Sequence, residues 1–546
     1  MSFTILFNGE KKVCDNPVSV LDIVGPDKNI VCASIDNRVR ELTYMLDHDA
    51  TVTPLYVKDR DAKPTYEASL RFIVAMAMYN IHPEIRIRFS YNVSRAIFMQ
   101  ILNPEVISNS HLVKELDAEI QRIVEADYPL IRRIVSKEEI RKVFNEEGFE
   151  DKNDILKYRP EKTCHYYDCN GYKNYMYNRM VPSTGYVTKY KIKSYYPGII
   201  IQYPRPELQG GIPIFEDSPT FGKTLKRAHQ WAVATRFDSV VGTNKRIEED
   251  GPIDVITLGE QKHNRQLCEL GSMIESDKEN IRLICIAGPS SSGKTTFANR
   301  LRIELLSRGI DPIRISMDDY YLTRDQAPKD ENGEPDLEAA DALDIELFNK
   351  NMAELIAGEE VELPKFDFKL GKRVKGRTLK VPTDQPIIIE GIHALNDRMT
   401  ESVPQHQKFK IFIAPQAQIN IDNHNPLSLT DLRLLRRIVR DYQFRGASAL
   451  ETMSMWASVR KGEFKWIYGT QEGANYVFNS YLPEELSVMK KYAMPLLQAI
   501  EVENPYYPVA ERLIRMLKFF VDMPDEWVPC NSILREFIGG SCYADV

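Results

Sequence analysis

The residues most able to do chemistry are Gly288-Pro289-Ser290-Ser291-Ser292-Gly293-Lys294-Thr295, with Thr296 next. They fit G-x-x-x-x-G-K-[ST]. Two glycines let the backbone curl so that successive N–H groups face one anion. A helix that starts at the loop aims its positive end at the same anion. Lys294 adds a charge for the outer phosphates of a nucleotide, and Thr295 offers a hydroxyl to Mg²⁺. The flanks agree, with an apolar run at Leu283–Ala287 and a helical pattern at 295–306. A guanine reader would show Asn-Lys-x-Asp after such a loop. The nearest match, Asn244-Lys245-Arg246-Ile247, lacks the Asp and precedes the loop, so it reads as linker.

Two acids follow at strand ends. Asp318 comes just after the apolar segment at 313–315, and Glu390 ends the apolar run at 386–390. In a parallel sheet the C-terminal strand ends face the ligand crevice. A carboxylate there takes a proton from an attacking hydroxyl or supports Mg²⁺. His393 reads as structural. Arg433, Arg437 and Arg440 fall at i, i+4, i+7, beside Arg436 and Arg445. A helix presenting such a face would stabilise charge on a transferring phosphoryl group.

The elements that position these groups alternate from residue 281. Strands are expected at Leu283–Ala287, Ile313–Ser316 and Ile387–Glu390, and helices at 295–306 and 345–357, which indicates a parallel α/β sheet. Helices are expected at 483–500 and 508–520. Earlier, strands at 3–7, 12–14, 31–35 and 51–57 with a short helix at 18–23 suggest a ubiquitin-like β-grasp. Helices follow at 66–82, 111–126 and 137–146, the first with Leu70, Ile73, Val74, Ala77 and Met78 on one face. Residues 160–215 are β-rich, and 225–235 and 264–276 are helical.

The chain has 546 residues, 43% hydrophobic and 27% charged, enough for several cores without a disulfide or metal staple. Its net charge of −7 excludes a globally basic nucleic-acid coat. None of its eight cysteines forms Cys-x-x-Cys, which suits a reducing compartment. No secretory leader or membrane span is read, so a cytoplasmic protein without membrane contact is expected.

Residues 281–480 resemble the phosphoribulokinase/uridine kinase family of P-loop kinases, through GPSSSGKTT, SMDDYY, DLEAADALD, LPKFDF, IIIEGIHAL and RRIVRDYQFRG. The resemblance implies ATP- and Mg²⁺-dependent phosphorylation of a small-molecule hydroxyl. It implies Asp318 as base, Glu390 with Thr295 at the metal, and Lys294, Arg437 and Arg440 on the phosphates. The residues 288–296 would hold ATP. Tyr321, Glu338, Phe366, Phe368 and Arg445 would meet the acceptor. Uridine kinases read the base with a Tyr and a His where Phe366 and Gly371 stand here.

Residues 1–62 resemble the TGS domain of threonyl-tRNA synthetase, through VSVLDIV and NRVRELTYMLDHDATV. Residues 63–235 resemble that enzyme's second N-terminal domain, through VSKEEIRKVFNEEGFEDK and VPSTG. Its His-x-x-x-His and Cys-x-x-x-His editing motifs fall on Ala68, Phe72, Cys169 and either Lys173 or Met180. With three of the four groups gone, a binding, regulatory or dimerising role is expected, with tRNA or a homo-oligomer partner as its candidates. The full expectation is a multidomain α/β and α+β chain: β-grasp, editing-like domain, linker and helix at 236–280, P-loop kinase, and a helical extension at 481–546. Its leading function is phosphorylation of a nucleoside such as uridine or cytidine. Alternatives are a sugar or sugar-phosphate kinase, and an RNA-binding or regulatory P-loop ATPase.

Overall fold

The computed structural model describes all residues except 1, 324, 330–332, 334, 368–369 and 545–546. Its sheet at 283–479 is five-stranded, in the order Ile313–Ser316, Ile387–Glu390, Leu283–Ala287, Lys408–Ala414, Tyr476–Asn479. Every pair is parallel. Leu283–Ala287 and Ile387–Glu390 are buried along their whole length, as strands covered on both faces must be. Ser316 and Ile286 both register on Glu390, so three strand ends finish together.

The antiparallel hairpin Glu360–Asp367 and Lys372–Lys380 stands off this sheet. Gly371 takes φ +64° at its tip, a left-handed conformation that glycine adopts without strain. The helix Leu429–Phe444 starts on a Ser428 cap, whose hydroxyl accepts from Asp431 N.

The first sixty residues form a mixed five-stranded sheet. Its order is Glu10–Cys14, Phe3–Phe7, Ala50–Tyr56, Ile30–Ile35, Arg38–Arg40, with the central Phe3–Phe7 and Ala50–Tyr56 parallel. A second sheet orders Lys191–Tyr195, Gly198–Gln202, Ala96–Ile101, Ile87–Val93. The helix Lys63–Ile81 lies in that core. The sequence suggests one apolar face; the structure buries an unbroken run from Ala68 to Met78, because neighbours cover it all round. Ala68 and Phe72 of this helix are buried in the same core as Cys169 and Met180. Burial pushes the Cys169 thiol up to about 12. Lys173 instead pairs with Glu146 at 3.7 Å.

In the 236–280 stretch the expected helix is present and longer, and the segment around Asn244, expected as linker, is helical as well. Helices Val240–Asp250 and Pro252–Glu275 pack into the same core as the parallel sheet. Asn244 is buried, and its Nδ2 donates to Phe519 O at 2.7 Å. The polar letters Asn-Lys-Arg had concealed a helix whose inner face is Val240, Val241, Thr243, Asn244 and Ile247. Helices Glu485–Gln498 and Tyr507–Leu517 pack on the same core.

One small hairpin, Asn420–Asp422 with Asn425–Pro426, joins the two halves. Lys152 Nζ donates to Asp422 Oδ1 at 2.6 Å, and both side chains are fully buried. Asn420 Nδ2 donates to Phe89 O at 2.7 Å, and Tyr177 N donates to Asn425 Oδ1 at 2.8 Å. The two halves therefore share polar contacts that water does not reach. Removing one member of a buried pair strands the other charge. Lys152→Met is expected to lower the unfolding free energy by about 3–5 kcal/mol in chemical denaturation. A loss below about 1 kcal/mol would show that Asp422 needs no buried partner.

Candidate active site

The phosphate loop leaves the strand Leu283–Ala287 and enters the helix Lys294–Leu306. Gly288 passes so close to the next strand that a Cβ would lie 2.0 Å from Ile413 O. Ser291 and Gly293 take φ +59° and +91°, which turns the loop inward. Its outward carbonyls are held from behind. Arg433 Nε and Nη2 donate to Ser290 O at 3.1 and 2.9 Å, and Arg436 Nη1 donates to Ser291 O at 3.4 Å. Each arginine is itself braced by a buried carboxylate, Arg433 by Glu463 and Arg436 by Glu485.

The loop is built for an anion. The hydroxyls of Ser291, Ser292 and Thr296 are buried with no hydrogen-bond partner among the described residues. Buried hydroxyls usually find one. Lys294 Nζ rests on Gly288 O at 3.1 Å and Pro289 O at 3.4 Å. Burial holds its ammonium below the ordinary range, against the pull of Glu390 and Asp318. This donor set fits a nucleotide's phosphates. The hydroxyl of Thr295 and the carboxylates of Glu390 and Asp318 are hard oxygen donors, which fits Mg²⁺.

Asp318 follows its strand on a short turn, where Ser316 Oγ accepts from Asp318 N at 3.3 Å. Burial raises the Asp318 carboxyl, while Lys294 and Arg445 draw it down. Glu390 is raised to about 7 by burial and by the charge of Asp318. Both acids act on Lys294, Lys294 acts on both acids, and Asp318 acts on Glu390, so the three charges share one crevice. A carboxylate raised in this way is a stronger base.

The arginine helix separates by role. Arg433, expected among the charges that face the phosphoryl group, is a brace: it is 4% exposed and committed to Glu463 and the loop carbonyl. Its carboxylate partner stands 30 residues away, beyond any helical spacing. Arg437 Nη1 donates to Ser290 Oγ at 2.9 Å and reaches the phosphate loop directly. Arg437, Arg440 and Arg445 surround Asp441 at 3.2, 2.7 and 3.7 Å. Arg440 beside it, then burial, pulls Arg445 down to about 10.

Tyr321 and Glu338 line the same crevice. Burial and then the charges of Asp318 and Glu338 hold the Tyr321 hydroxyl well above its ordinary range. Glu338 is raised to about 7, by burial and by Glu463, against Arg437 and Lys294. Its carbonyl accepts from His393 Nε2 at 2.9 Å, and burial takes His393 down to about 4, a neutral structural imidazole. The Phe366 ring lies edge-on to Tyr321 at 5.9 Å, and Phe366 N donates to Asp319 Oδ1 at 3.2 Å. Phe368 lies outside the described residues. Nothing lies within 4 Å of a Cβ built on Gly371, so that position faces open space. Sequence reasoning missed Glu463, Glu485 and Glu536. The last accepts from Thr296 N at 3.1 Å.

Known proteins resemble this chain in part. A uridine kinase from Halobacterium salinarum is 30% identical over 212 residues, 37% of this chain and 85% of that protein. A uridine kinase from Staphylococcus haemolyticus is 30% identical over 33% of this chain and 79% of its own length. A threonine–tRNA ligase from Symbiobacterium thermophilum is 28% identical over 31% of this chain but only 27% of that protein. Among the described residues, no helix is long and apolar enough to cross a membrane. Residues 283–486, which carry the phosphate loop, both strand-end acids and the arginine helix, match the Phosphoribulokinase / Uridine kinase family, and the chain belongs to it.

Proposed function

We propose that this chain transfers the γ-phosphoryl group of ATP to a hydroxyl of a small molecule, with a nucleoside such as uridine or cytidine as the leading acceptor. The observation that carries the reading is the convergence of Lys294, Asp318 and Glu390 beside a loop with three unpartnered buried hydroxyls. A protein that merely senses ATP needs the loop but no buried base.

Residues 288–296 hold the phosphates through backbone N–H groups and hydroxyls, and Lys294 neutralises the outer charge. Thr295 and Glu390 would hold Mg²⁺, which would offset phosphate charge. Asp318 accepts the proton of the attacking hydroxyl. Arg437 and Arg440 stabilise charge on the transferring group, and Arg445 meets the acceptor side. Tyr321, Glu338 and Phe366 orient the acceptor. A sugar or sugar-phosphate acceptor is the second reading. It is favoured by the apolar Phe366 and the bare Gly371, which bring no polar side chain at those two positions to read a pyrimidine.

ADP release measured with ATP-Mg²⁺ and a panel of nucleosides, sugars and sugar phosphates tests this. Stimulation by uridine or cytidine is expected. Asp318→Asn should bind ATP normally and lose about 10²–10⁴-fold in kcat. Lys294→Ala should lose both binding and turnover. Wild-type turnover in Asp318→Asn would remove the base assignment.

Glu338 yields a pH test. In the folded protein it titrates at about 7, above its ordinary 4.5. The folded state therefore holds a proton that the unfolded chain has released. That stabilisation is complete below the unfolded value and is lost as pH rises through the folded one. Glu338→Gln, always neutral, should gain Tm relative to the parent between about pH 5 and about pH 8. A constant difference would contradict the buried-carboxyl assignment.

A further inference from the structure

The chain beyond residue 486 lies outside the family match, yet it returns to the phosphate loop. Ile533 seats against Gly293, where a Cβ would lie 2.5 Å from Ile533 Cγ2. The Phe537 ring lies 4.9 Å beneath the Arg436 guanidinium, the same side chain that holds Ser291 O. Arg535 ties the segment into a unit, donating to Asp525 O at 2.8 Å, Val528 O at 2.7 Å and Gly539 O at 3.2 Å. From this unit Glu536 Oε2 accepts from Thr296 N at 3.1 Å.

That N–H belongs to the first turn of the helix Lys294–Leu306, whose early N–H groups have no partner within the helix. They and the helix dipole attract anions. A carboxylate on this donor therefore stands where a phosphate oxygen would stand. The charge of Glu536 is also felt by Lys294. We propose that the C-terminal segment is an autoinhibitory gate: the Glu536 carboxylate holds the anion position at Thr296, and a nucleotide phosphate takes that position only when the segment withdraws. The proposal rests on the nucleotide reading of the loop.

Equilibrium binding of ATP and ADP to the full chain tests it by calorimetry. Glu536→Ala and Glu536→Gln both remove the competing charge. Each should bind about tenfold tighter than the parent, the worth of one hydrogen bond to a charged group. Ile533→Ala loosens the anchor without touching the carboxylate and should shift affinity the same way. Unchanged or weaker binding by these variants, with Lys294→Ala inactive in binding, would overturn the gate and leave the loop reading intact. Parent-like binding by Lys294→Ala would overturn both.

A separate observation concerns Cys530 and Cys542, which bracket this segment. Both thiols are exposed, and Cys542 N donates to Cys530 O at 3.0 Å. Burial and then the Cys530 thiol beside it push the Cys542 thiol up. This backbone bond and the thiol–thiol contact set the two side chains next to each other. We infer that the pair is a reversible disulfide site for a small disulfide oxidant such as glutathione disulfide. One thiolate attacks the oxidant and releases a glutathione thiolate. The second cysteine then displaces the other, so two protons and two electrons leave the protein as two glutathione thiols are made. Native full-length protein treated with glutathione disulfide should lose two hydrogens by intact mass, mapped to these residues and restored by dithiothreitol. Cys530→Ser should not lose them. Two free thiols after treatment, or a lasting glutathione adduct, would overturn the inference.

Discussion

Two carboxylates and an ammonium are confined in one buried crevice, and the architecture around them follows from that confinement. Ser316, Glu390 and Ile286 lie in register, so three parallel strands deliver Asp318, Glu390 and the phosphate loop to one point. Burial alone would neutralise the acids, as the raised Glu390 and Asp318 carboxyls show. Lys294 and Arg445 oppose that tendency at Asp318, and Lys294 and Arg314 at Glu390. An incoming anion with a divalent cation would change this balance again, which is what a site for charged groups requires.

The supporting arginines show how such a loop is kept open. Its carbonyls face outward to Arg433 and Arg436, and these are fixed by Glu463 and Glu485 in the interior. Their charges are spent on positioning. Arg437, Arg440 and Arg445 share the single carboxylate Asp441, which leaves net positive charge beside the loop. The N-terminal half buries Ala68, Phe72, Cys169 and Met180 in one hydrophobic core. It contributes a rigid dock for the 420–426 hairpin, through Lys152 and Asp422.

Much of this was legible in the residues. The strands around the loop are short apolar runs with a turn after each, and their acids fall at the ends, so strand and site were read together. The helix Val240–Asp250 was hidden because its sequence carries a polar Asn-Lys-Arg run, and Asn244 is buried only through a distant carbonyl. The hairpin Glu360–Lys380 escaped because Pro364 and Gly376 interrupt its alternation and most of its side chains are charged. Arg433 was misplaced for a related reason: helical spacing reports the face and not the partner. Glu536 meets Thr296 across 240 residues, a contact that no local pattern encodes.

Phosphoryl transfer from ATP to a small-molecule hydroxyl is the proposed reaction of this crevice. Its most direct test is incubation with ATP labelled at the γ-phosphate, Mg²⁺ and uridine or cytidine, with products separated and identified by mass. Label on the acceptor as a monophosphate is the expected result. Label appearing only as inorganic phosphate with every acceptor tried, from protein that still binds ATP, would contradict it.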